Sequence, residues 1–192
     1  MRRVQVGLPS FPKRPSSRST WLASTALFAL SSLTLLITAC DSDKNYRLVS
    51  EKYNFSVEFP ERPTEETKTN DEGIPKSYWQ ASREKIVAKD YFTAEATSYK
   101  EILNPDDELV PNEALLALNG VKMLEHRRFK MKARETGREV DAMQTVSREA
   151  ASGSTITSIY VVDGHNMISV TARMNDNPGR AALFLASFTI LR

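Results

Sequence analysis

The stretch 154-STITSIYVVDGHNMISVTARM-174 decides how this chain is read. Isoleucine, valine, threonine and tyrosine crowd it, and Asp163-Gly164 interrupts it near the middle. Branched and aromatic side chains suit a pleated, half-buried surface, and Asp-Gly between two such runs is a strong signal for a type I′ hairpin turn. The pattern predicts strands over residues 154–162 and 165–174. Counting outward from Asp163-Gly164 pairs Val161 with Asn166, Ile159 with Ile168 and Thr157 with Val170. One face of the hairpin is then mostly aliphatic.

The same period of two extends upstream. Thr136-Gly137 reads as the turn of another hairpin, between strands at 127–135 and 138–149. Phe55, Val57 and Phe59 alternate with Ser56 and Glu58, and Pro60 ends that run. Residues 61–73, rich in charge, threonine and proline, read as a loop. A strand at 76–81 around Tyr78 and Trp79, a turn at 82–85 and a long strand at 86–99 follow. Phe92, Ala94 and Ala96 share one face of the long strand, and Tyr91, Thr93, Thr97 and Tyr99 the other.

Helices are few. Asn104-Pro105-Asp106-Asp107 breaks the strand pattern. Asn112 suits a helix N-cap, and Leu115, Leu118, Val121 and Leu124 then fall on one helical face. Gly120 weakens the middle of that helix by about 1 kcal/mol. Asp176-Asn177-Pro178 opens a final helix that turns Ala181, Ala182, Leu185 and Phe188 toward the sheet. Residues 189–191 close as a short strand. Strands joined mostly by hairpins, with a few helices, make an α+β domain: an antiparallel β-sheet with helices packed on it.

Before the domain lies a different kind of sequence. Residues 1–40 carry five basic side chains (Arg2, Arg3, Lys13, Arg14, Arg18) and no acidic one. The whole chain is +2, but without that segment 21 basic residues face 24 acidic ones. The remainder is slightly acidic, which removes the compositional case for a nucleic-acid partner. Residues 21–39 are apolar and uncharged, the layout of an export signal. Ile37-Thr38-Ala39-Cys40 resembles the bacterial lipobox, and Cys40 is the sole cysteine. Small residues admit the peptidase, and the thiol takes the lipid. Acyl chains contributing about 0.8 kcal/mol per buried methylene then hold the protein on a bilayer.

The expected organisation is therefore a lipoprotein signal peptide at 1–39, an acylated cysteine and tether at 40–45, and a single α+β domain at 46–192. The protein is expected at a cell membrane, facing the periplasm or the cell exterior. Asp41, in the position of a retention signal in enteric bacteria, favours the inner membrane. Arg2-Arg3 lies too far from the apolar run for a twin-arginine signal, and Pro9, Pro12 and Pro15 in a long leader suit a start downstream of Met1. One cysteine allows no internal disulfide, and a domain of about 150 residues buries enough surface to need none.

The run Tyr53-Asn54-Phe55-Ser56-Val57-Glu58-Phe59-Pro60, the hairpin around Tyr160 to Ser169 and the terminal Ala186-Ser187-Phe188 together resemble the Mog1/PsbP-like α/β sandwich superfamily. It includes exported bacterial proteins related to DcrB, a photosystem accessory subunit and a Ran-binding protein. The resemblance is one of layout and covers most of residues 46–192. It implies a non-catalytic binding or scaffolding domain, and it carries over no catalytic residue; the lipobox and the compact domain add the expectation of an envelope protein partner.

The chemical inventory agrees with that expectation. His126 and His165 lack a second ligand at metal spacing, and Asp106, Asp107 and Glu108 lack the glycine and spacing of a calcium loop. Gly153-Ser154 has no nucleophile-elbow context, and no phosphate loop is present. No cofactor is expected. Two surfaces remain. His126, Arg128, Lys130, Lys132 and Arg134 alternate along one strand, so Arg128, Lys130, Lys132 and Arg134 would contact an anionic surface. Alternatively a two-residue turn at Thr136-Gly137 sets Arg134 against Glu139 and Lys132 against Asp141, and the stripe is half neutralised. Tyr78, Trp79, Tyr91, Phe92 and Tyr99 would line a groove for a small or lipidic ligand, or else complete the core. A hydrolase assembled only in three dimensions would need a cleft with a shifted titratable pair.

Overall fold

Phe55, Val57 and Phe59 are fully buried, as are Ala94, Val161, Ile168, Val170 and Ala172. The alternation seen in the sequence is thus the inward face of a sandwich. A computed structural model describes residues 45–70, 72–84, 89–175 and 178–192. The elements run β1 (Tyr46–Ser50), β2 (Phe55–Phe59), β3 (Thr64–Thr69), β4 (Pro75–Glu84), β5 (Lys89–Ser98), α1 (Pro105–Glu108) and α2 (Glu113–Leu118). Then come β6 (Val121–Lys132), β7 (Glu139–Glu149), β8 (Thr155–Asp163), β9 (Asn166–Met174), α3 (Pro178–Ala186) and β10 (Thr189–Ile190). The signal peptide, the lipobox Ile37, Thr38 and Ala39, and Cys40 lie outside the described residues, as do Asp176 and Asn177. No helix among the described residues is long and apolar enough to cross a membrane.

Seven strands form one antiparallel sheet in the order β3-β4-β5-β9-β8-β7-β6, and β1-β2-β10 form a smaller one. The α+β expectation holds at that level. The large sheet carries alanines at 81, 94, 96 and 172, and the bulk comes from the opposing layer. Phe55 meets Trp79 with ring centroids 5.7 Å apart, and Phe184 of α3 meets Phe59 and Phe92 at 5.2 Å each. Small residues facing large ones let the layers interdigitate at interior density. Of the residues expected to turn toward the sheet, Ala181, Leu185 and Phe188 are buried, but Ala182 is exposed and Phe184 is buried instead.

Four expectations need correction. Residues 64–69 are not loop but β3, an edge strand whose side chains are all exposed. With no buried face, its Thr, Glu and Lys side chains leave no apolar period, and the charges protect an open edge. The helix expected to reach Leu124 ends at Leu118. Gly120 takes φ +70°, and Val121 already pairs with Glu149. β4 continues to Glu84, through much of the expected turn. Both hairpin registers are offset by two residues. Asp163 pairs with Asn166, so Gly164-His165 is the loop, and Ile159 faces Val170 rather than Ile168. Only Gly164 takes a positive φ there (62°), the pattern of a type II′ turn rather than I′. In the other hairpin Ala133 N–H donates to the Arg138 carbonyl at 2.8 Å, which makes a four-residue loop. Lys132 therefore faces Glu139, and Lys130 faces Asp141. An offset of two keeps every side chain on its face, so the core expectation survives.

Candidate functional site

The large sheet is wider than its cover. α3 packs on β9, β2 and β8, and the small sheet lies over the β4–β5–β9 side. The inward faces of β6, β7 and β8 are only partly covered. Val146 and Ile159, apolar residues on that face, stay half-buried.

A cleft of about 500 Å³ occupies this gap. The register builds its floor: Gln144 lies opposite Ile159, and Val146 opposite Thr157. One wall is α3, where Ala181, Ala182, Leu185 and Ala186 recur at helical spacing along one side. Three alanines there leave room that larger side chains would fill. Arg127 and Phe129 of β6 form the other wall, and Met174, Asn175 and Pro178 close one end. The volume is typical of small-molecule sites, which are mostly apolar with a few placed polar groups.

Arg127 is the charged group in this lining. Its Nε donates to Gln144 Oε1 at 2.9 Å, and its guanidinium carbon lies 5.8 Å from the Phe129 ring centre. Glu125, Arg127, Gln144 and Val146 line a contiguous recess of about 280 Å³. Among the described residues the cleft lining contains no histidine, serine, lysine or carboxylate.

No protein-family model and no curated protein matches this chain.

The basic stripe divides in the structure. Arg128 is bound to α1: its guanidinium donates to the Leu109 carbonyl at 2.8 Å, to the Asp106 carbonyl at 3.1 Å and to the Asp106 carboxylate at 2.6 Å. It satisfies carbonyls that the end of a short helix leaves open. Lys130 pairs with Asp141 at 2.6 Å. Lys132 lies across from exposed Glu139, and Arg134 sits in the hairpin loop, where its backbone N–H donates to the Ile190 carbonyl at 2.8 Å. The opposite-charge pairs exist, displaced by two residues from those expected.

Arg128 fastens segment 99–112 to the outer face, where Leu109, Met143 and Val162 form a second small core. Arg128→Ala is expected to cost about 1–2 kcal/mol as these charge-assisted bonds are lost. Hydrogen exchange should speed up at Leu109 and its neighbours while β5, β8 and β9 keep their protection.

The five aromatics do not line one groove. Trp79 and Phe92 are buried in the core, whereas Tyr78, Tyr91 and Tyr99 alternate onto the opposite face of the sheet. Burial pushes the phenols of Tyr78 and Tyr99 above their ordinary range, and Glu95 and Glu66 reinforce the effect at Tyr78. Both lie away from the cleft. His126 and His165 are exposed, and among the described residues no three His, Cys, Asp or Glu side chains converge as metal ligands. Ser154 is buried, and its hydroxyl donates to Asn175 Oδ1 at 2.5 Å, tying the start of β8 to the turn before α3. The cleft residues escape sequence reasoning because they come from five separate segments. The one available signal was a surplus of apolar inward positions over residues able to cover them.

Proposed function

We propose that this protein is a lipid-anchored cell-envelope protein whose domain binds rather than catalyses, with the cleft beneath α3 as its binding site. The carrying observation is that cleft. It is a mostly apolar cavity of about 500 Å³ with Arg127 at its polar side and, among the described residues, no histidine, cysteine, serine, lysine or carboxylate in its lining. An apolar ligand gains free energy there by leaving water, at about 25 cal/mol per Å² buried. A Mog1/PsbP-like architecture is part of the proposal. It is supported by the short β2 ending in Phe59-Pro60, the antiparallel sheet and a C-terminal helix laid on it.

Anchoring through Cys40 rests on the lipobox Ile37-Thr38-Ala39-Cys40 at the end of an apolar leader. It is tested by the intact mass of protein extracted from native membranes. The expected chain begins at Cys40 and carries the added mass of acyl groups; a chain that retains residues 1–39 and a free thiol would refute it.

An envelope protein partner is a second reading. It is favoured by Val110, Leu115 and Leu118, which are 58%, 54% and 85% exposed around α2. Affinity purification from native membranes should recover a partner that Leu118→Glu loses.

A further inference from the structure

The charges around the cleft point to the kind of ligand, an inference that rests on the binding role proposed above. Three cations share its face. Arg127 lines it, and among the described residues it makes no ion pair; Gln144 and the Phe129 ring are its partners. Two rows further along the sheet, beyond the row of Glu125, Val146 and Thr157, Met174 pairs with Thr155, Thr155 with Arg148, and Arg148 with Lys122. Met174 and Thr155 line the cleft, so Arg148 and Lys122 continue its floor toward solvent. Arg148 and Lys122 stand directly opposite each other, an arrangement of like charges that destabilises a strand pair. Neither has an acidic partner among the described residues. Glu125 lies on the same face of β6, and Glu113 of α2 lines a recess beside Lys122.

The remainder of the cleft is mostly apolar, with Gln144, Thr155, Thr157 and Asn175 as its neutral polar side chains. Val146, Ile159, Met174, Ala181 and Leu185 offer no hydrogen bond, and a ligand polar on every side would leave groups unpaired against them. A ligand that fits is apolar along most of its length and anionic at one end. We propose that it is a long-chain fatty acid. Its tail lies over Val146, Thr157 and Ile159 beneath α3, and its carboxylate meets Arg127. Asn45 follows Cys40 by five positions, a reach of at most about 18 Å. Asn45 lies beside Arg180 and Leu183 of α3. On the proposed anchoring, the cleft works within a short tether of a bilayer, which supplies fatty acid.

The test uses the full-length protein in phosphatidylcholine vesicles with a photoactivatable long-chain fatty acid. The label is expected on peptides containing residues 155–159 and 181–186. Oleate should displace it at roughly tenfold lower concentration than oleyl alcohol, because only the acid can make a charge-assisted bond. Arg127→Gln should erase that preference, and Ala182→Trp, at an exposed position on the cleft wall, should abolish labelling by filling the space. Equal displacement by acid and alcohol, or a preference that survives Arg127→Gln, overturns the fatty-acid assignment and leaves an apolar binding site standing. Label spread over the domain without enrichment in those peptides overturns both.

Discussion

Phe55→Ala is expected to destabilise the domain by about 3–5 kcal/mol, the usual cost of emptying a large aromatic site in a core. Phe55 is fully buried and sits where the two sheets and the final turn meet. Its ring is 5.7 Å from Trp79 of the large sheet and 5.9 Å from Phe188 after α3. Its strand also pairs with β10, which makes only two residue pairs with β2, so α3 and the C-terminus lose their seat when it loosens. Natural domains hold about 5–15 kcal/mol in all. A loss of this size should lower the thermal midpoint by roughly 10 °C, and chemical denaturation reads the same change. Phe55→Leu, which keeps most of the volume, should cost about 1–1.5 kcal/mol. Equal costs for the two variants would mean that Phe55 does not join the layers as described.

Cys40→Ala is expected to have the largest effect on location. With no thiol there is no thioether, and on the proposed anchoring the signal peptide then stays attached. The variant should migrate and weigh as a precursor that retains residues 1–39. The wild type should appear as a shorter chain with added lipid, released from membranes only by detergent. Several acyl chains hold a protein far more firmly than one, which makes the contrast nearly complete rather than graded. Cellular fractionation with intact mass measurement checks it. Identical masses and partitioning for both proteins would remove the lipid anchor from the account.

What could be foreseen in this chain follows from where burial leaves a mark. β2, β5, β8 and β9 were legible because each buries one face, and a period of two appears wherever water is excluded from alternate residues. β3 was not, since Thr64–Thr69 exposes every side chain and gives selection for burial nothing to act on. β6 misled for a related reason. Val121 and Leu124 lie on an edge strand, with a register shift between Met123 and Glu125, and three-residue apolar spacing there imitates a helix. The hairpin registers moved by two because Gly164-His165, and not Asp163-Gly164, forms the loop. Side-chain faces survived the shift, so the core list did too.

The cleft was the least legible feature. Val146, Ile159 and Ala181 look like ordinary core residues one at a time. Only the mismatch between a seven-stranded sheet and its narrower cover leaves them facing a space. Arg127 was hidden by its neighbour. The conspicuous basic stripe lies on the other face of β6, and its Arg128 holds α1 in place.

The most direct test of the central claim is native mass spectrometry of the full protein taken from its own membranes, comparing wild type with Ala182→Trp. The wild type is expected to carry a noncovalently bound apolar molecule that is absent from the variant, with both folded to the same thermal midpoint within about 2 °C. A wild type that carries nothing, or an adduct that survives when the cleft is filled, would contradict it.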